Sequence, residues 1–306
     1  MAIFQDWFQG IGRSRADQQG FAYLKNCDVH SEMGFVQPQL ALETDSRSNV
    51  PNEACIFCKT PAGTIYAFST TSGKIWKLTS GSTWTLVLTN SVNTGHRGAS
   101  YYGGAVSKNS PARVYFATAT SLGYFTSETQ AGPNYTWKTV GDGTLSNSDY
   151  RPMEEVNLTL FIGNGKNIAS VNSNSTWNKS ALDVPKNATV TALTNVGVDL
   201  LVGTAIGNQV NHCSAFLWDT YSDSWTIEDV VPEVSVNCFI KNDEIVFAQC
   251  GTTGQLYYWN GSAMVKFRKI PNVTTGVAPY NSQWLNGRCL FAANGNIFSI
   301  HREDQD

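Results

Sequence analysis

Charge is scarce in this chain. Only 15% of its 306 residues are Asp, Glu, Lys or Arg, against about 25% in an ordinary globular protein. Its 21 basic residues are scattered and the net charge is −3. A protein that grips a duplex needs a cationic footprint to displace counterions, so no nucleic-acid partner is expected. Long apolar runs are also missing. None approaches the roughly 20 residues of a membrane-spanning helix, so no membrane span is expected. The opening segment MAIFQDWFQGIGRSRADQQG has no basic start, and Asp6 and Gln9 interrupt its short apolar run. It does not read as a secretory signal.

Segments rich in Ala, Glu, Lys and Leu are lacking as well. Ser, Thr, Asn and Gly fill the polar quota, which favours strands and tight turns over helices. The seven cysteines (27, 55, 58, 213, 238, 250 and 289) form no regular framework. An odd number without an export signal reads as reduced, buried thiols made in a cytoplasm. There is no HExxH, no GxSxG and no GxxxxGK[ST].

What the chain does have is a repeat. A short apolar run ending in a small residue recurs at IYAFS (to Ser69), VYFA (Ala117), LFIG (Gly163), LLVG (Gly203), IVFA (Ala248) and CLFA (Ala292). The spacings are 48, 46, 40, 45 and 44 residues. Six such units match the roughly 40–50 residues of a propeller blade. Each run is followed by a Gly- or Asn-containing turn, such as Asn164-Gly165 or Thr253-Gly254, and a second strand, such as KIWKL or QLYYW. Gly and Asn supply the positive φ of a tight hairpin. Trp84, Trp137, Trp177, Trp225 and, in the fifth unit, Met264 begin an outer strand and are expected to pack between neighbouring blades. ACIFC, ASYYGG, ATVTAL and VSVNCFI read as innermost strands, with the third unit least regular.

Four strands per unit make a blade. The sixth unit ends without an outer strand, while FVQPQLALET (35–44) is a spare strand near the start. The expected fold is therefore all-β: a six-bladed β-propeller over 35–306, closed by an N-terminal strand, with a short arm over 1–34. Closure removes an open edge.

Chemistry is sparse. Cys55-Ile-Phe-Cys58 lies on a strand, where alternation sends the two thiols to opposite faces, so no metal is expected there. His30, His96, His212 and His301 are scattered. Ser-Gly-Ser-Thr-Trp at 80–84 lacks the Asp of a sialidase-type Asp-box, because Thr79 stands in its place. Arg97, Arg151 and Arg288 fall on or before expected innermost strands, with Glu154 and Glu155 nearby, so a glycosidase using the central cleft is a minor alternative. No catalytic, cofactor-binding or metal-ligating residue is assigned, and the chain is expected not to be an enzyme. Trp218-Asp219-Thr-Tyr-Ser-Asp-Ser-Trp225 resembles a kelch-like blade, which supports the fold only.

The segment YLKNCDVHSEMGFVQPQLALE (23–43) resembles the lead-in of propeller proteins encoded among tailed-phage virion genes. Its pattern Asn-x-Asp-x-x-Ser-x-x-Gly is met by Asn26, Asp28, Ser31 and Gly34. The resemblance covers about twenty residues and carries over no catalytic residue. It implies a structural protein of the virion, a tail component for assembly or host attachment, made in the host cytoplasm. Expected partners are other virion proteins within a symmetric oligomer. The arm residues Phe4, Trp7, Phe8 and Ile11 are the candidate contacts, because an apolar group at a chain end is suited to a neighbouring surface. A lectin-like propeller that recognises a host glycan is the alternative.

Overall fold

The computed structural model describes residues 27–28, 37–38, 49–78, 83–89, 94–103, 113–125, 135–137, 144–172, 176–206, 212–241, 245–270, 274–280, 282–285, 288–293 and 296–301. Contacts divide the chain into two units, Met1–Ser46 and Arg47–Asp306.

In the first unit, β1 (Cys27–Asp28) pairs antiparallel with β2 (Gln37–Pro38). Of the phage-like motif, Asp28 lies on β1, and Asn26, Ser31 and Gly34 lie outside the described residues. Of the strand expected to close a ring, 35–44, only Gln37–Pro38 is described, and it pairs with Cys27–Asp28. Phe4, Trp7, Phe8 and Ile11 lie outside the described residues.

The second unit is all-β and β-propeller-like. Its only described helical turn is a short 3-10 segment, Pro185–Asn187. The strands form antiparallel meanders in chain order. The first sheet holds β3 (Cys55–Lys59), β4 (Ile65–Ser69), β5 (Lys74–Leu78) and β6 (Trp84–Thr89). The second holds β7 (Gly98–Tyr102), β8 (Arg113–Ala117), β9 (Leu122–Phe125) and β10 (Tyr135–Trp137). The third holds β11 (Met153–Val156), β12 (Thr159–Asn164), β13 (Asn167–Val171) and β14 (Trp177–Asp183). The fourth holds β15 (Thr189–Val196), β16 (Asp199–Ala205), β17 (Cys213–Asp219) and β18 (Ser224–Val231). The fifth holds β19 (Val236–Lys241), β20 (Val246–Cys250), β21 (Gln255–Trp259) and β22 (Met264–Lys269). The sixth has three described strands: β23 (Ser282–Leu285), β24 (Arg288–Ala293) and β25 (Asn296–His301).

The six repeated runs are the second strands β4, β8, β12, β16, β20 and β24. The small residue at their ends has a steric cause. A Cβ on Gly203 would stand 2.6 Å from Val236 Cγ1 and 3.2 Å from Ala192 Cβ. One on Gly163 would meet Pro152 Cδ at 2.8 Å and Val190 Cγ1 at 3.1 Å. At these two positions the second strand of one sheet presses against the first strand of the next.

The core lies between sheets. Five apolar clusters join the first to the second sheet, the second to the third, and so on to the sixth. A further cluster, Ala67, Trp76, Leu78 and Trp84, belongs to the first sheet alone. Cys58 lies in the cluster shared with the second sheet, whereas Cys55 packs against this other one, so the two thiols do point to opposite faces. Trp177, Trp225 and Met264 pack between neighbouring sheets. Trp84 is buried in the cluster on the other face of the first sheet. The side chain of Trp137 lies outside the described residues.

The outer hairpins share a device that composition alone blurs. Asp219 Oδ1 accepts the N–H groups of Tyr221 (2.8 Å) and Ser222 (3.0 Å). Asn260 Oδ1 accepts those of Ser262 (3.0 Å) and Ala263 (2.9 Å), and Asn172 Oδ1 accepts that of Thr176 (2.9 Å). An Asx side chain closes each turn on its own backbone and delivers the large residue that opens the outer strand.

Candidate functional site

The first strands of the third, fourth and fifth sheets surround a cavity of about 270 Å³, completed by the segment from Pro279 to Ser282. Its polar side chains come from β11 (Glu154), β15 (Thr194), β19 (Lys241) and that segment (Tyr280, Ser282). They are placed there because alternate residues of an innermost strand face away from the inter-sheet core.

Most of these groups are already engaged. The Tyr280 hydroxyl donates to the Arg151 carbonyl, and burial pushes its pKa up. Ser282 Oγ donates to Phe239 O at 2.6 Å. Lys241 Nζ donates to Asn195 Oδ1. Glu154 is engaged as well, because its carboxyl accepts the backbone N–H of Asn195. Half-buried and enclosed by three sheets, its carboxyl is pushed up to about 7 by desolvation, against the opposing pull of Lys241 and the Asn195 N–H. Such an acid can hold or release a proton near neutrality. Its neighbour Glu155 cannot act with it as a carboxylate pair, since successive strand residues face opposite ways. Glu155 Oε2 instead accepts the Gly103 N–H at 3.1 Å.

Of the three arginines considered for a carboxylate-binding cluster, the two whose side chains are described do not converge. Arg151 is fully buried. Its Nε donates to Thr118 O at 3.2 Å and its Nη1 to Gly163 O at 3.0 Å and Asn164 Oδ1 at 3.4 Å. Its Nη2 donates to Ala119 O at 2.5 Å and to Ser146 O. Desolvation lowers its pKa to about 10. Arg97, just before β7, donates from Nη1 to Thr70 O at 3.2 Å. Arg288 opens β24, a second strand and not an innermost one, and its side chain lies outside the described residues.

The other candidate nucleophiles and bases are structural. Burial pushes Cys213 and Cys238 up to about 12 and raises Cys250 well above its ordinary value, which leaves them as inert thiols. His96 is buried, and its Nδ1 pairs with Ser69 O at 2.8 Å. Its ring stands edge-on to Phe68 and Phe116, and burial lowers its pKa. Among the described residues no group of three or more His, Cys, Asp or Glu gathers as a metal site. No described helix is long and apolar enough to cross a membrane.

Glu154, Glu155 and Arg151 were visible in the sequence as charges around an innermost strand. Lys241, Asn195 and Tyr280 were missed. They come from three separate units of the repeat, and only the third dimension brings Lys241 and Tyr280 to one cavity, with Asn195 bonded to Lys241 beside it.

No family model matches the chain, and no curated protein matches it. Solved β-propeller structures do. A catalytically inactive variant of virginiamycin B lyase from Staphylococcus aureus, crystallised with quinupristin, is 11% identical with a TM-score of 0.60, over 87% of this chain and 84% of that one. The extracellular domain of a protein described as a one-component system from B. thetaiotaomicron is 15% identical with a TM-score of 0.59, over 85% of this chain but 34% of that one. The computationally designed protein Ika8 is 11% identical with a TM-score of 0.51, over 83% and 73%. At such identities the likeness establishes the fold alone.

Proposed function

We propose that this chain is a non-enzymatic structural protein of a tailed-phage virion, a tail component whose propeller body assembles with neighbouring proteins. Arg151 carries the non-enzymatic part: its guanidinium is directed to backbone carbonyls and one amide oxygen, and is absent from the cavity that holds Glu154. Among the described residues, a carboxyl without a paired carboxylate, free arginine or activated nucleophile beside it suits binding better than hydrolysis. The virion assignment rests on the resemblance of 23–43, whose motif residue Asp28 lies on β1.

The finer architecture belongs to this proposal. Six blades form a ring, and the strand over 35–44 adds to β25, where the sixth sheet has three described strands. The buried cluster on the face of the first sheet away from the second supports a neighbour there. The arm residues Phe4, Trp7, Phe8 and Ile11 contact another subunit of a symmetric oligomer. Incorporation of a Trp7→Ala, Phe8→Ala double variant into particles tests that role. Normal incorporation refutes it. Turnover in a screen of fluorogenic glycosides would overturn the non-enzymatic reading.

A second reading has its own observation. A cleft between the segment 146–150 and the β12–β13 turn, apart from the cavity around Glu154, favours recognition of a host glycan by the same virion protein.

A further inference from the structure

That cleft measures about 480 Å³. One wall is the segment 146–150 and the other is the β12–β13 turn with Thr189. The first wall is neither helix nor strand, yet its backbone is tied down. Leu145 N–H donates to Thr120 O at 2.8 Å, Ser146 N–H to Asn164 Oδ1 at 2.7 Å and Ser148 N–H to Ala119 O at 3.3 Å.

Buried Arg151 holds the same segment, donating to Ser146 O as well as to Ala119 O, Thr118 O and Gly163 O. A desolvated arginine whose acceptors are carbonyls is a costly way to secure a surface loop. Rigid loops on a stable scaffold are where recognition residues sit, because their ordering entropy is already lost before a ligand arrives.

The side chains offered there are of one kind. Asn147 and Asp149 are exposed and Tyr150 is half-buried. From the other wall come exposed Lys166 and half-buried Asn167, whose Nδ2 donates to Asp183 Oδ1 at 2.7 Å. Lys166 and Asp149 balance, so a charged ligand meets no net opposite charge. The walls mix polar and apolar surface, so a wholly apolar ligand would leave polar groups unsatisfied. Planar amide and carboxylate groups match adjacent hydroxyls, and a phenol ring matches the C–H face of a pyranose.

We propose that this cleft is a binding subsite for a neutral saccharide, with Asn147, Asp149 and Asn167 bonding the hydroxyls and Tyr150 stacking on the ring. The proposal rests on the glycan-recognition reading and not on the virion assignment.

The test begins with the full chain on an array of immobilised oligosaccharides. The array holds neutral hexose and N-acetylhexosamine types beside sialylated and uronic ones. The best-bound sugar is then titrated against wild type, an Asn147→Ala, Asp149→Ala double variant and Tyr150→Ala. Neutral sugars should bind, and each variant should weaken binding at least about tenfold, the equivalent of one good hydrogen bond or stacking contact, with the melting temperature unchanged. Undiminished binding by both variants overturns the cleft assignment while leaving glycan recognition elsewhere on the chain intact. A preference for acidic sugars overturns the neutral ligand. No binding to any sugar overturns the cleft and the glycan reading together. Particle incorporation of the same variants reports separately on the structural role.

Discussion

The Tyr280 hydroxyl donates a hydrogen bond to the carbonyl of Arg151, 129 residues earlier in the chain. It ties the segment before the sixth sheet to the residue before the third. A Cβ on Gly98 would stand 2.0 Å from that carbonyl and 2.7 Å from that hydroxyl, so the second sheet also closes on this point. Leaving a buried carbonyl unpaired costs about 1–3 kcal/mol. Tyr280→Phe should therefore lower stability by about that amount in denaturant unfolding. An unchanged midpoint would show that the bond contributes nothing.

Gly203→Ala tests the close approach of successive sheets. The new methyl would stand within 2.6 Å of Val236 Cγ1, so a strand must shift. Overpacking of this kind costs about 1–3 kcal/mol. Gly197→Ala is the useful contrast. It has open space around it but a φ of 60°, so its cost is conformational and smaller. Equal melting temperatures for Gly203→Ala and wild type would contradict the packing account.

The repeat was legible because it is made of close contacts. The small residue ending each run, the turn after it and the large residue near the start of the outer strand recur through the first five units, and at Gly163 and Gly203 the small residue answers a direct steric demand. Arg151 was not legible. Its acceptors come from 118–119, from 146 and from 163–164, three stretches that no spacing connects. An arginine beside two glutamates reads as chemistry until its donors are counted. The Asx turns were half legible: the polar clusters were plain, but the closing side chains at Asn172, Asp219 and Asn260 are singled out only by their hydrogen bonds.

Trp225 bridges two sheets. Its Nε1–H donates to Asp183 O at 3.2 Å, and its ring stands edge-on to Trp218 at 5.0 Å and to Phe216 at 5.7 Å. Full core Trp→Ala changes cost about 3–5 kcal/mol. Trp225 is half-buried, so Trp225→Ala should cost about 2 kcal/mol, seen as a lower unfolding midpoint with sugar binding retained. Loss of binding without loss of stability would reassign this residue to a recognition surface.

Glu154 gives the fold a pH dependence of known sign. Its carboxyl ionises at about 7 in the folded chain against 4.5 in the reference state. Between those values the folded protein holds a proton that the unfolded chain has lost, so stability falls as pH rises. Glu154→Gln should remove that decline. Its melting temperature should run level with wild type below about pH 4.5 and rise above it towards pH 7 and beyond. A constant difference at every pH would contradict the assignment. Glu53 acts the other way: bonds from Lys74, Ser69 and Ser72 lower it to about 2, so its stabilisation is present above 4.5 and is lost as pH falls towards 2.

The central claim is that the chain is a built-in part of a particle and not a free catalyst. Quantitative mass spectrometry of gradient-purified phage particles tests it most directly. The account predicts that the chain co-purifies at a fixed small-integer ratio to the other tail proteins and stays bound through high-salt washing. Its absence from the particles, with all of it recovered as free protein in the lysate, would contradict the account.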